Sequence, residues 1–265
     1  MSLRIISYNI RYNNPGDGTN AWPYRQERVS GLLTLYRPDL IGLQEVLHDQ
    51  LHDLIERLSD FGWLGVGRDD GQTMGEYAPI FYRYTRLDLM ESGTFWLSET
   101  PHVAGSFGWD ADCVRIVTWA QFSDKTTSRK LLHLNTHFDH RGEQARIESA
   151  YLLRRFLAER DHDGAIIVTG DFNCTVESSP YRALTAAYEV ESPLLLDAMQ
   201  HSQTPHRGPT GTTNHCFAEP LGNKIDYIFY YPATTVTVLR HAILTDHWDG
   251  VYSSDHLPVL ADLSL

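Results

Sequence analysis

Six short stretches of this chain place an acid, an amide or an imidazole within or at the end of an otherwise apolar run: "SYNI", "LQEV", "NTHFDH", "GDFN", "IDYI" and "SSDHLP". The runs themselves are rich in aliphatic and β-branched residues, the composition of buried strands. A polar side chain buried in such a strand costs free energy unless it is paired, hydrogen-bonded or bound to a metal. A single occurrence is most simply a satisfied core residue. Six occurrences of the same chemistry are better accounted for by strand ends that converge on one pocket, which brings positions as distant as Asn9 and His256 together.

The rest of the chain is organised around those runs. "RIISYNI" and "DLIGLQEV" read as strands, each followed by a helical pattern, "YRQERVSGLLTLYR" and "QLHDLIERL". "APIFYRYTRLDLMESGTFWLS", "RIVTWAQFSD" and "KLLHLNTHF" read as consecutive strands in antiparallel pairing. The strongest helix is "GEQARIESAYLLRRFLAER", with Ile147, Ala150, Tyr151, Leu153 and Leu157 on one face, Glu148, Arg155 and Glu159 opposite, and Arg154 intruding at the edge of the stripe. "GAIIVTGDFN", "KIDYIFYY", "TVTVLRHAIL" and "PVLADLSL" complete the strands. No repeat, low-complexity tract or long linker interrupts residues 1–265. A single α/β domain is expected, with two mixed β-sheets packed together and helices outside.

The composition is that of a globular protein, 42% hydrophobic and 21% charged, with no apolar run near the ~18 residues that span a bilayer. The net charge of −12 argues against a large basic footprint for nucleic acid, and only Lys125, Lys130 and Lys224 among the 22 positive residues are lysines. Cys113, Cys174 and Cys216 are an odd number without CxxC spacing, so neither a disulfide framework nor a zinc ribbon is indicated. A cytoplasmic monomer without an obligate protein partner is the expectation. The abrupt opening "MSL" is also compatible with a signal peptide removed upstream.

Glu45, Asp171, Asp226 and Asp255 are hard oxygen ligands, and with Asn9 and Asn173 they favour Mg²⁺ or Mn²⁺ over zinc. His137 and His256 add donors for developing negative charge. No serine or cysteine stands in a nucleophile setting, since Cys174 follows the polar tip of "GDFNC". The chemistry that remains is metal-assisted attack by water, most naturally on phosphorus.

Taken in this order, "SYNI", "LQE", "NTH", "GDFN", "IDYI" and "SDHLPV" resemble the endonuclease/exonuclease/phosphatase superfamily, over Arg4 to Leu263. In motif style they lie nearest its nocturnin, deadenylase and bacterial phosphatase-like branch. The resemblance implies a DNase I-like four-layer α/β sandwich, with two sheets face to face. It also assigns roles. Glu45 is the principal metal ligand, Asp255 a metal-side ligand, and Asn9 lies near metal and phosphate. Asp171 orients and deprotonates the attacking water, and Asn173 holds the phosphate. His137 and His256 contact the phosphoryl oxygens, Asp226 fixes the tautomer of His256, and Glu76 supports His137. The chain departs from many nuclease members by carrying Arg11 where they have an aspartate, which puts a second metal site in doubt.

Other readings carry less weight. Asp139 and His140 fit a zinc-hydrolase HxHxDH motif except that Asn135 replaces its first histidine. Trp109, Trp119, Phe122 and Phe138 read as sheet packing rather than base stacking. Arg115 reaches either a substrate phosphate or a structural carboxylate. Thr210, Gly211 and Asn214 form either a substrate-facing loop or a plain turn, and "NNPGDGTNAWP", a loop at the pocket side of the first strand, is either a substrate lip or, with more weight, only a connection. The expected function is a Mg²⁺-dependent phosphoesterase that uses direct attack by water, with a small-molecule substrate favoured. The alternatives are a nuclease or 3′-exoribonuclease on single strands and, more remotely, a non-catalytic module on the same fold.

Overall fold

The computed structural model describes residues 2–160, 164–187, 194–220, 222–231 and 236–265. In chain order, β1 (Leu3–Asn9) leads through a short 3₁₀ segment, Pro15–Asn20, into α1 (Trp22–Tyr36), β2 (Leu40–Gln44) and α2 (His48–Arg57). Next come β3 (Phe61–Leu64), β4 (Ile80–Arg83), β5 (Leu87–Trp96), β6 (Ile116–Asp124), β7 (Lys130–His137), α3 (Glu143–Ala158), β8 (Ala165–Asp171) and α4 (Ser179–Thr185). The last third holds β9 (Leu196–Asp197), a ribbon of β10 (Asn214–His215) and β11 (Glu219–Pro220), and β12 (Asp226–Tyr230). It ends with β13 (Thr237–Ile243), a second ribbon of β14 (His247–Trp248) and β15 (Val251–Tyr252), and β16 (Val259–Ser264).

Two six-stranded sheets run in the orders β13-β16-β1-β2-β4-β3 and β5-β6-β7-β8-β12-β9. Each has one parallel pair, β1–β2 and β7–β8, and each such pair is joined by a crossover helix, α1 or α3. The expected antiparallel run holds for β5–β6–β7. It does not extend to β4, which pairs with β2 and β3 in the other sheet. The chain changes sheets at the turn before β5, where Arg86 makes two 2.9 Å hydrogen bonds to Asp124 of β6.

Strand alternation sorts the side chains into three apolar layers. Leu3, Ile5, Leu40, Phe122, Leu131, Ile167 and Ile228 pack between the sheets. Ile6, Tyr8, Ile41 and Leu43 meet α1 and α2 on the outer face of the first sheet. Leu132, Leu134, Ile166 and Val168 meet α3 and α4 on the outer face of the second. The result is the four-layer α/β sandwich expected from sequence. Arg154 is wholly buried in the α3 interface because its guanidinium donates to Ala183 and Ala186 carbonyls at the end of α4.

Along the inter-sheet face the chemistry changes in steps of two residues. On β7, Leu131 is followed by His133, Asn135 and His137; on β8, Ile167 is followed by Thr169 and Asp171. Asn135 donates to the carbonyls of Leu43 and Pro79 and accepts from Gln44 at 2.7 Å and from Thr169 at 2.9 Å. His133 lies 2.8 Å from the Thr169 hydroxyl. This buried polar layer joins the two sheets and separates the apolar core from the sheet edge beyond it.

Candidate active site

Register places the polar strand ends side by side. Asp171 pairs with His137 on one side and Asp226 on the other, and Asn9 pairs with Gln44, the residue before Glu45. Because β16 runs antiparallel to β1, the segment Asp255–His256 that precedes it reaches the same edge. The network across the edge is short. The Asn9 amide donates to Glu45 and to Asp171, both at 3.0 Å, while its oxygen accepts the Arg11 N–H. Glu45 also accepts the Tyr12 N–H at 3.0 Å, and Asp171 accepts the Asn173 N–H at 3.0 Å.

Three residues of this edge adopt left-handed backbone, Arg11 (φ 60°), Glu45 (φ 60°) and Asn173 (φ 47°). Asparagine tolerates that region, whereas arginine and glutamate pay about 1–2 kcal/mol for it. The turn at Arg11 is held from outside by Arg25. Its wholly buried guanidinium donates to the carbonyls of Ile10, Arg11 and Ser253, stitching the ends of β1 and the Asp255 segment together.

The two histidines differ. His256 Nδ1 is 2.8 Å from Asp226 and 3.8 Å from Asp171. Burial opposes its charge, but Asp226, Asp171 and Asp255 outweigh burial and hold its pKa well above the usual histidine range. Its charged form is therefore favoured. Burial pushes His137 well below that range, with Arg115, Arg68 and His256 adding to the effect. The Asn173 amide donates to Phe138 carbonyl and lies 3.0 Å from His137 Nε2. The first bond fixes which end of the amide is NH₂, so Nε2 accepts and the His137 proton sits on Nδ1.

Glu76 faces the Nδ1 side of His137 without touching it. Its carboxylate is 3.9 Å from His137 Nδ1, beyond a hydrogen bond, and its close partner is Arg68 at 2.7 Å, a residue that sequence reasoning missed. Burial raises the Glu76 pKa, and the Arg68 charge opposes that rise. Arg115 is 3.3 Å from His140 and 3.8–3.9 Å from Glu76 and Asp139, and its Nε and Nη1 make no hydrogen bond. Its geometry is thus loose toward every carboxylate around it.

Asp171 has its pKa pushed up to about 7 by burial and by Asp226, with His256 opposing. Burial and the Glu45 charge raise Asp255, with His256 opposing. A set of crowded carboxylates that resist full ionisation, all hard oxygen donors, fits a divalent cation. Glu45 and Asp255 remain the candidate ligands, with Asn9 between Glu45 and Asp171. The tightest group at this edge is a different one: Asp171, Asp226 and His256 offer ligand atoms within 4.8 Å of one another. Two of its three members already form the 2.8 Å histidine–carboxylate pair.

Several other positions act as scaffold. Asp139 accepts four backbone N–H groups, from Asp112, Cys113, Arg141 and Gly142, which pins two loops together. Thr212 Oγ accepts the Asp226 N–H, and Asn214 bonds the backbone of Ser254 and Asp255, so the 210–214 loop braces both acidic segments. Trp119, Phe122 and Phe138 are buried in the sheet cores. Trp109 is not; it lies half-buried in the loop before β6 with φ 48°.

A two-sheet sandwich whose carboxylates, amides and histidines gather at one edge defines a DNase I-like hydrolase architecture. The Endonuclease/Exonuclease/phosphatase family model matches residues 6–256, and the chain belongs to that family. An endonuclease/exonuclease/phosphatase from Bacteroides vulgatus is 42% identical with a TM-score of 0.92, covering 100% of this chain and 99% of that one. A mannosyl-6-phosphatase from Bacteroides thetaiotaomicron is 35% identical with a TM-score of 0.91, each chain covered in full at 100%. The human Nocturnin catalytic domain shares the fold, with a TM-score of 0.74 at 21% identity over 99% of this chain and 94% of that one. Against an uncharacterised protein of Acanthamoeba polyphaga mimivirus, 26% identical over 66% of this chain, the match spans only 30% of the relative's length. Among the described residues, no helix is long and apolar enough to cross a membrane.

Proposed function

We propose that this protein is a divalent-metal-dependent phosphoesterase whose preferred substrate is a small phosphate ester, a sugar phosphate before a nucleic acid. The carrying observation is the continuous network from Glu45 through Asn9 to Asp171, beside the 2.8 Å Asp226–His256 pair. In this reading Asp171 takes a proton from water, the water oxygen attacks phosphorus in line as the ester P–O bond opposite it breaks, and the departing alkoxide takes up a proton from solvent while Asp171 returns its own. The His256 imidazolium, neutralised from behind by Asp226, donates to a phosphoryl oxygen as charge develops there. Asn173 and His137 face the same group, and a phosphate dianion would favour a second proton on His137 Nε2. Arg115, loosely paired with its neighbours, reaches a further oxygen. A Mg²⁺ or Mn²⁺ ion held by Glu45 and Asp255 supplies Lewis-acid polarisation of the phosphoryl oxygen when bound.

The preference for a small substrate has two supports. The net charge of −12 opposes long-range attraction of a polyanion. A mannosyl-6-phosphatase matches over the full chain. The test is a substrate panel in Mg²⁺, with hexose phosphates, inositol phosphates, a dinucleotide phosphate, an oligoadenylate and plasmid DNA. Turnover of a hexose phosphate, abolished by EDTA and restored by Mg²⁺ or Mn²⁺, is expected. Turnover unaffected by EDTA overturns the metal, and activity confined to the oligoadenylate or DNA overturns the substrate class.

A further inference from the structure

Away from the polar strand ends, α2 carries two histidines one helical turn apart. His48 opens the helix and His52 follows at i+4, so both exposed rings leave the same face. Their Nε2 atoms are 3.2 Å apart, and the ring planes stand at 89° with centroids 4.6 Å apart. Two imidazole nitrogens bound to one transition ion at about 2.0–2.1 Å, with an angle between square and tetrahedral, lie about 2.9–3.4 Å from each other. The pair already has the spacing of two neighbouring ligands, on the helical i, i+4 pattern that suits them.

A third side chain fixes the orientation of the first ring. His48 Nδ1 is 2.9 Å from the Tyr77 hydroxyl, and that hydroxyl donates its own proton to the Gln72 carbonyl at 3.0 Å. The phenol oxygen therefore accepts from Nδ1–H, which leaves the lone pair of His48 on Nε2, the nitrogen that faces His52. A hydrogen bond on the far ring nitrogen is what sets tautomer and direction in metal-binding histidines. Tyr77 is itself anchored: it is buried, its ring lies at 23° to that of His48, and its backbone pairs in both directions with Val46. The 3.2 Å contact is then a hydrogen bond from His52 Nε2–H to His48 Nε2. A bound ion takes the place of that proton, and His52 carries its proton on Nδ1 instead.

We infer that His48 and His52 form a two-nitrogen site for a divalent transition ion of the Cu²⁺, Ni²⁺ or Zn²⁺ class, with Tyr77 as its orienting residue and water completing the coordination. The strand-end carboxylates and amides are oxygen donors that suit Mg²⁺ or Mn²⁺, whereas imidazole favours copper, nickel and zinc. The two places differ in the ions they select, and the α2 site stands whether or not the protein hydrolyses phosphate esters.

Cu²⁺ is the probe, because it ranks highest for such donors and its electron paramagnetic resonance signal carries coupling from bound nitrogen. With Mg²⁺ in excess to compete at the oxygen donors, the intact protein is expected to take up about one Cu²⁺ per chain, coupled to two nitrogens. His48→Gln and His52→Gln should each lose the two-nitrogen signal; a thermal melt identifies the folded variants. Tyr77→Phe keeps both ligands and should weaken binding on the order of tenfold. A two-nitrogen signal that survives in either folded histidine variant overturns the site, as does an intact protein that binds no Cu²⁺ under these conditions. An affinity unchanged in Tyr77→Phe overturns the orienting role of the phenol.

Discussion

At the scale of single residues, two carboxylates on neighbouring strands divide the work by environment. Asp226 lies against His256 and keeps that ring charged, whereas Asp171 has burial and Asp226 against it and is pushed up to about 7. As the proposed base, Asp171 must be ionised to act, so kcat/KM should fall about tenfold per unit as pH drops below the Asp171 pKa. A nearby divalent cation favours the carboxylate form, so the acid limb should move to lower pH as Mg²⁺ is raised. In Asp171→Asn the rate should drop by ~10²–10⁴, and that limb should vanish from the residual activity. A pH–rate profile of the variant that still bends at the same place would remove Asp171 from the role of base.

At the scale of elements, the polar layer between the sheets leaves room only for hydrogen at Gly42 of β2. A Cβ there would run into the Thr169 hydroxyl and the Asn135 amide, which are locked to each other and to Gln44. Gly42→Ala should cost ~1–3 kcal/mol and lower the melting temperature, while Gly31→Ala, in open space on α1, should add ~0.5–1 kcal/mol of stability and raise it. Thermal melts of the two variants should move in opposite directions; a common direction would refute the packing argument. The principal strands and α1 to α3 were legible because period 2 and period 3.6 leave different marks in sequence. The sheet to which β4 belongs was not, since a strand's residues do not name its partner. β3 is a half-buried edge strand without clean alternation, and α4 spans only seven residues, too few for a helical stripe. Asn9, Glu45, His137, Asp171, Asp226 and His256 announced themselves as polar groups on apolar strands. Arg25 and Arg68 did not, because long side chains that reach in from a helix and a loop read locally as solvent residues.

At the scale of the whole molecule, stability carries a proton linkage from histidines outside the chemistry. Burial lowers His133 to about 3 and His241 to about 2, each with one unpartnered ring nitrogen. An unfolded chain takes up protons on these rings near pH 6.5, and the folded chain does not, so their contribution is present above 6.5 and lost as pH falls toward 3. Asp171 and Asp255, held above the usual carboxylate range, work the other way over the same interval, so the histidine share is read as a difference: between pH 6.5 and 4 the melting temperature of the intact protein should fall relative to that of His133→Gln. A difference that stays constant with pH would place the linkage elsewhere. The stepwise alternation between the sheets has a wider consequence. His137, Asp171 and Asp226 share one face only because three strands are paired in one register, and a slip of a single residue would turn any one of them toward the helices. A compact chain with one misaligned strand could look folded by its helix content and yet have no assembled centre. Catalytic turnover therefore serves as a proofreading signal for strand alignment, one that bulk spectroscopy cannot provide.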